Sequence, residues 1–573
     1  MAHTPPTEKI LLPPVYDPVL IRSLAASLNI AEMGAALLLQ RDLTTEEGAS
    51  HFLFPDLTRL HDPFLFPDME KAVARIAEAL RGKEKICIYG DYDVDGITAV
   101  ALLVRTLQDL SAEVEWYIPD RLKEGYGLSD KGIQDIHTRG VGLIVTVDCG
   151  ITADQEIALA RSLGMDVIVT DHHLSRDPLP EAVALINPKL PGSPYPDKDL
   201  SGVGVAFKLA SALQQRFYHT DSASEHSLPL YLDLVTIGTL ADVVPLLGEN
   251  RILVHAGLDQ LKRSGCEGVK ALLLESGLYG KPMTGSAIAF SLTPLINAAG
   301  RLGEPAMALR LFLTSSTDEA KTLARELKGF NVKRKALDQA ITEECIGRIE
   351  ASPILLDSAF LVLASDQWHP GVMGIVASRL MERYGRPALL LSIENGVARG
   401  SARSIPAFHV LDAITTCRDL LIDFGGHRLA AGVEIREDNI PVLSDRLNRF
   451  AQTALSGQTL LPVVQTDLAF SDLDALDWET LHLLKRFEPF GAGNQKPLFY
   501  VPACRVMGSP RLLNGGHLKF RVSAGRTTFD AIAFRMGHRL NDLVKGPVTL
   551  AFHAEENEWN GQKNIQLNVR GIA

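Results

Sequence analysis

Cysteine is scarce: six in 573 residues, with no CxxC pair. Cys87, Cys149, Cys266, Cys345, Cys417 and Cys504 lie far apart. That excludes a disulfide scaffold and argues against a zinc–thiolate site. Thiols used as small apolar residues in a reduced cytoplasm are expected instead, which makes the chain cytoplasmic on this reading. Long apolar runs are also missing. The longest uncharged stretch, 282–300, is 19 residues long and holds Pro294, Gly285 and Asn297, so a buried core segment is expected there, not a membrane span. MAHTPPTEKI shows no basic region followed by an apolar one, so no secretory signal is expected. Positive charge is not in excess either. There are 57 Lys+Arg against 69 Asp+Glu, a net of -12. On its face that balance argues against nucleic acid, whose phosphates repel carboxylates. Hydrophobic residues at 46% and charged residues at 22% exclude a disordered chain.

What is present reads as several domains, since roughly 150 residues make one. Residues 1–70 are rich in Pro and read as an N-terminal extension packed on the next domain. Across 71–255, short apolar runs (KICIYG, EVEWYI, GLIVTV, DVIVTD, ALIN) alternate with helical patterns near 97–111, 129–139 and 152–163. That alternation predicts βαβ units, a parallel sheet and an α/β fold, with ligands at the carboxyl ends of the strands. Strand patterns vanish over 256–350, a helical connector in which 318–350 reads as one long helix interrupted at Gly329. Residues 351–456 look like a smaller α/β domain. In 457–573, short strands with Gly turns predict a small β-barrel. Charge is uneven: 484–573 carries a net of +7, leaving -19 on the rest.

Four strand or helix ends carry the chemistry. KICIYG runs into Asp91, Asp93 and Asp95; GLIVTV into Asp148; DVIVT into Asp171, His172 and His173. LVTIGTLADVVPLLG carries Asp242. Any one of these carboxylates reads as a helix cap. Three consecutive strand ends with five Asp and two His do not. Packed carboxylates repel and raise each other's pKa, and a divalent metal removes that repulsion. Carboxylate with imidazole and no thiolate suits Mn²⁺ or Mg²⁺, with Fe, Co or Zn as weaker candidates. Several Asp around two metal ions suits in-line attack at phosphorus, hence hydrolysis of a phosphoester or phosphoanhydride.

DYDVDG, VDCG and DHH in this order resemble the DHH phosphoesterase superfamily. SGVGVAFKLA, LADVVPLLGENR, INAAGRLG, WHPGVMGIVASRL, GSARS, FGGHRLAAG and FEPFGAGN are similar to blocks of its RecJ-type exonucleases, over about 80–570. The resemblance implies a DHH domain, a DHHA1 domain and an OB-like barrel. It implies two Mn²⁺ or Mg²⁺ ions held by Asp91, Asp93, Asp148, His172 and Asp242, with Asp148 bridging and His173 beside them. Asp95 would orient the loop. Some relatives have His where this chain has Tyr89, and many have Arg where it has Leu295. Ser401 and Arg403 would hold the 5′-terminal phosphate, with Gly425, Gly426 and His427 contacting phosphate through backbone N–H groups and the ring. Arg121 and Arg301 would be further phosphate contacts.

The implied activity is 5′→3′ hydrolysis of single-stranded DNA to 5′-mononucleotides in recombination and repair, with the strand threaded between the DHH and DHHA1 domains. The implied enzyme is a monomer that works with single-strand binding protein and a helicase, and not at a membrane. In the barrel, Arg511, Lys519, Arg521, Arg526 and Arg535 interleave with Phe520, Phe529, Phe534 and Trp559. Most of these aromatics are expected in the core, with Trp559 the best candidate for an exposed stacking residue. Two alternatives stay open. One is a DHH-type phosphodiesterase for oligonucleotides or cyclic dinucleotides, which the basic barrel disfavours. The other is a non-catalytic replication scaffold, which the full carboxylate set disfavours.

Overall fold

The computed structural model describes residues 9–121, 124–218, 231–456, 463–559 and 561–573. They fall into two compact units. One draws on Met1–Gly300, Pro305–Arg325 and Val463–Ala573, the other on Arg301–Glu304 and Glu326–Pro462.

The first unit is built on a five-stranded, wholly parallel sheet. Its spatial order is Val114–Tyr117, Ile86–Gly90, Leu143–Val147, Asp166–Thr170, Ala184–Ile186. Ile86–Gly90 and Leu143–Val147 are buried at every position, as near-continuous apolar strands covered on both faces must be. The expected helices follow as Val94–Asp109, Asp130–Thr138 and Asp154–Ser162. Asp93 and Ser129 cap the first two, accepting from the Gly96 and Gly132 N–H groups. Val94–Asp109 is buried almost all round, between Gly202–Phe217 and Leu232–Asp242.

The same unit carries the barrel. Phe499–Leu513, His517–Ser523, Thr528–Ala533, Gln562–Ile572 and Val548–Trp559 are neighbours in that order, and the last pairs back to the first. Closure leaves no free sheet edge among these five strands. Phe499, Val501, Phe520, Phe529, Leu550, Phe552 and Leu567 fill the interior. The N-terminal helices Pro18–Leu28, Glu32–Leu39 and Glu46–Leu53 share that core through Leu24, Leu37, Leu38, Phe52 and Leu53. Lys9–Leu11 pairs in parallel with Val463–Gln465. The extension therefore packs mainly on the far end of the chain. Only its last part follows expectation: Phe66 stacks on Tyr195 at 3.8 Å, beside the sheet domain.

The 282–300 segment is helical from Gly285 on but only partly buried, with Phe290 82% exposed, and among the described residues no single helix is long and apolar enough to cross a membrane. Thr317–Ala351 is one helix of 35 residues. Gly329 does not interrupt it: one solvent-facing glycine costs about 1 kcal/mol, which the rest of a long helix absorbs.

The second unit holds a five-stranded sheet in the order Leu421–Gly426, Ala430–Arg436, Val397–Arg403, Ala388–Glu394, Leu361–Ser365. Only the last pair is parallel. Met373–Tyr384 and Ile440–Ala454 pack against it. All six cysteines are free and buried.

Candidate active site

Three adjacent strands deliver their side chains to one edge. Ile86–Gly90 runs into Asp91, Leu143–Val147 into Asp148, and Asp166–Thr170 into Asp171, His172 and His173. The first two strands flank the point where the chain order reverses across the sheet, the usual ligand crevice of such folds. Asp148 has a left-handed backbone, φ 59°, which Asp tolerates better than most residues. Asp242 arrives from elsewhere, as the last residue of Leu232–Asp242.

The groups converge closely. His172 Nε2 lies 3.2 Å from Asp148 Oδ1 and 3.6 Å from Asp242 Oδ2. One ligand atom each from Asp148, His172 and His173 lies within 4.8 Å of the others, and the same holds for Asp95, His172 and Asp242. Asp91 Oδ1, Asp148 Oδ1, Asp242 Oδ2 and both ring nitrogens of His172 are buried without a hydrogen-bond partner. Each such atom costs about 1–3 kcal/mol when left unsatisfied. Five in one cluster, all of them oxygen or imidazole donors, fit a divalent cation.

The electrostatics agree. Burial first, then neighbouring carboxylates, holds Asp91, Asp95 and Asp148 well above the ordinary carboxyl range. Burial also raises Asp242, with His172 pulling against it. Burial pushes His172 down to about 4, so its ring is neutral near pH 7, the form that ligates metal. Asp171 is also buried, yet the His173 ring and the backbone N–H groups of His173 and Ile151 overcome that and lower it. Its Oδ1 is 2.7 Å from His173 Nδ1. Burial pulls His173 down, but the Asp171 hydrogen bond outweighs it and the ring's pKa is raised.

Two residues do more than their sequence context suggests. Asp95 is fully buried and accepts from the Gly202 and Val203 N–H groups at 2.6 and 2.9 Å, so it caps the helix Gly202–Phe217 while facing Asp242. Asp171 orients His173, and Tyr126 reaches both that ring, at 3.3 Å, and the Asp148 carbonyl, at 3.2 Å. The first residue of the Asp95-capped helix is Gly because a Cβ there would come within 2.5 Å of Asp148 Oδ1. Tyr89 belongs to the apolar core under the sheet. It stacks on Tyr117 at 4.9 Å and donates to the Gly127 carbonyl, so it adds no ligand. Arg121 sits over the Tyr92 ring at 5.1 Å and acts electrostatically on Asp91. Leu295 is buried, so no phosphate contact comes from that position.

In the second unit, strand register puts Ser401, Gly432 and Gly425 side by side on three neighbouring strands. Gly426 ends the outer strand and exposed His427 follows it. Arg403 donates to Ser401 Oγ at 2.7 Å and to the Ala402 carbonyl at 2.8 Å. Its other terminal nitrogen faces Gly374, in the first turn of Met373–Tyr384. Arg301 donates to the Gly371 carbonyl at 3.2 Å, just before that helix.

On the barrel, Phe520 and Phe529 are core, as expected. Phe534 is 47% exposed, and its ring meets His517 at 5.2 Å. Lys519 pairs across strands with Arg511, and Arg521 with Met507, all four exposed. Arg526 is held by Asp474. The Trp559 side chain lies outside the described residues.

Three family models match: the DHH family N-terminal domain over residues 85–239, the DHHA1 domain over 357–453 and the RecJ OB domain over 467–571. The single-stranded-DNA-specific exonuclease RecJ of Bacillus subtilis is 38% identical over 558 residues, covering 96% of this chain and 69% of that one. Its Escherichia coli counterpart is 36% identical over 522 residues, covering 88% and 90%. The crystal structure of RecJ in complex with Mn²⁺ from Thermus thermophilus superposes with a TM-score of 0.83 at 32% identity, covering 99% of this chain and 79% of that one. With a parallel sheet, a carboxylate–histidine cluster at its switch point and a closed barrel, this chain belongs to the RecJ family of DHH phosphoesterases.

Proposed function

We propose that the chain is a metal-dependent exonuclease that degrades single-stranded DNA from the 5′ end to 5′-mononucleotides. The observation that carries this reading is the buried cluster of unpartnered Asp and His atoms at the sheet switch point. Asp91, Asp93, Asp148, His172 and Asp242 would hold two divalent ions, Mn²⁺ or Mg²⁺. Such ions, when bound, neutralise phosphate charge and make a water molecule more acidic. The protein's own groups do the rest. Asp148 and His172 bring their unpartnered ligand atoms within 3.2 Å of each other. Asp95 fixes the start of the helix that packs on Asp148. His173, gripped by Asp171 and partly open to solvent, holds a proton for the departing 3′ oxygen.

Arg403, Ser401 and the first turn of Met373–Tyr384 form an anion-favouring corner suited to a terminal phosphate. Arg301, Gly425, Gly426 and His427 would add contacts around it, and Arg121 a contact near Asp91. The exposed barrel face with Arg511, Lys519, Arg521 and Phe534 suits a single strand, with charge for phosphates and an aromatic face for a base. A helicase that supplies single strands and single-strand binding protein would be its working partners.

Asp148→Ala tests the reading, with DNA labelled at the 5′ or the 3′ end, in Mn²⁺ and in chelator. The wild type should release labelled mononucleotide early from 5′-labelled strands only. The variant should release none while still binding the strand. Normal degradation by the variant, or unchanged activity in chelator, would refute it.

A further inference from the structure

The motif FEPFGAGN has no part in the chemistry above, yet the chain spends several close contacts on it. It forms the loop 487–494, just before the barrel. Gly491 and Asn494 close it with paired backbone hydrogen bonds of 2.9 and 3.2 Å. The buried Asn494 amide donates to the Phe487 and Pro489 carbonyls at 2.7 and 2.9 Å. Arg41 donates to Asn494 Oδ1 at 2.9 Å. Buried Arg251 donates to the Phe487 and Arg486 carbonyls at 2.9 and 3.0 Å. These bonds tie the loop down at Phe487, Pro489, Gly491 and Asn494.

Its tip lies against the segment that follows Asp242. The Leu246 N–H donates to the Ala492 carbonyl at 2.8 Å. A Cβ on Gly491 would come 2.7 Å from Leu246 Cδ1, and one on Gly493, whose φ is +68°, would come 2.9 Å from Pro245 Cβ. On the near side, Gly285 lies against both the Phe490 carbonyl and Leu240, two residues before Asp242. Asp242 itself ends its helix, and the next residue, Val243, is left-handed at φ 65°. A β-branched residue holds that conformation only where its surroundings impose it. Asp242 thus sits between Leu240, which reaches the loop only through Gly285, and Leu246, which the loop bonds directly, at a backbone turn that would otherwise relax.

We propose that the 487–494 loop is a positioning element for the metal centre: by pinning 245–247 it sets where the Asp242 carboxylate meets His172. The barrel module is then coupled to the metal centre as well as being a candidate DNA surface. Ligand placement within about 0.5 Å matters at such sites, and loss of an outer support typically weakens metal binding 10–100-fold. This inference rests on Asp242 being a metal ligand.

The test is Mn²⁺ titration by calorimetry of the full chain, stripped by chelator, for wild type, Asn494→Ala and Gly493→Ala. Phe520→Leu, in the barrel core, serves as a control that lowers stability without touching the loop. The expected result is at least one Mn²⁺ step about tenfold weaker in both loop variants and unchanged in the control, with nuclease activity recovering at higher Mn²⁺. If folded Asn494→Ala and Gly493→Ala bind Mn²⁺ as the wild type does, or if Phe520→Leu weakens binding equally, the positioning role is refuted. If the wild type itself binds no Mn²⁺, the metal-centre reading fails instead.

Discussion

Asp148→Asn separates the charge of this carboxylate from its shape. In the metal-free protein Asp148 is buried, its Oδ1 has no partner, and Asp95, Asp93, Asp242 and Asp91 all push its pKa up. An ordinary carboxyl titrates at 3.8, so keeping one protonated in the fold at pH 7 costs about 4 kcal/mol, a ceiling on the penalty. Asp91 and Asp95 share the same repulsion and relax together with it, so relieving one charge recovers less, about 1–3 kcal/mol. The sign follows from proton linkage. A carboxyl whose folded pKa is raised destabilises the fold as pH climbs from the ordinary value through the folded one. The advantage of Asn should therefore grow as pH climbs above the ordinary carboxyl value and shrink towards pH 4.

The assay is thermal unfolding in chelator at pH 7 and pH 5. Asp148→Asn should melt higher at pH 7, by about 2–4 °C per kcal/mol for a unit of this kind, with a smaller gap at pH 5. Excess Mn²⁺ should reverse the order, since ligand at 100 times its Kd stabilises by about 2.7 kcal/mol and the variant has lost a ligand. A variant that melts lower than wild type in chelator at pH 7 would show that no carboxylate repulsion is stored there.

Two further outcomes test the outlying contacts. Arg403→Ala removes a charge-assisted donor held beside Ser401, worth about 1.5–3 kcal/mol. KM for 5′-phosphorylated strands should rise about 10–100-fold while that for 5′-hydroxyl strands stays put, and an unchanged ratio of the two would sink the phosphate-corner assignment. Phe534→Ala should weaken oligo(dT) binding in fluorescence anisotropy by about 1–3 kcal/mol if the ring stacks on a base. Equal affinity would remove it from the DNA surface.

The strands and carboxylates of the sheet domain were legible because their signals are local. KICIYG and GLIVTV are apolar runs that can be buried only inside a covered sheet, and Asp at their ends falls at the ligand edge of any parallel fold. What periodicity cannot carry is the partner of an apolar face. Residues 1–70 read only as an extension packed on the next domain, and nothing near Leu37 and Leu38 says that their cover is a barrel more than 400 residues on. Asp95 shows the same limit within the site. Two residues after a candidate ligand, it reads as a loop former, whereas its role depends on a helix that starts at Gly202. The net charge of -12 misled for the complementary reason. An average over the chain hides that several of the negative charges are concentrated in one buried cluster, while the exposed face of the barrel keeps Arg511, Lys519 and Arg521. An acidic chain that handles a polyanion is then no contradiction, because the carboxylates that repel phosphate in the metal-free protein are the groups that would hold cations against it.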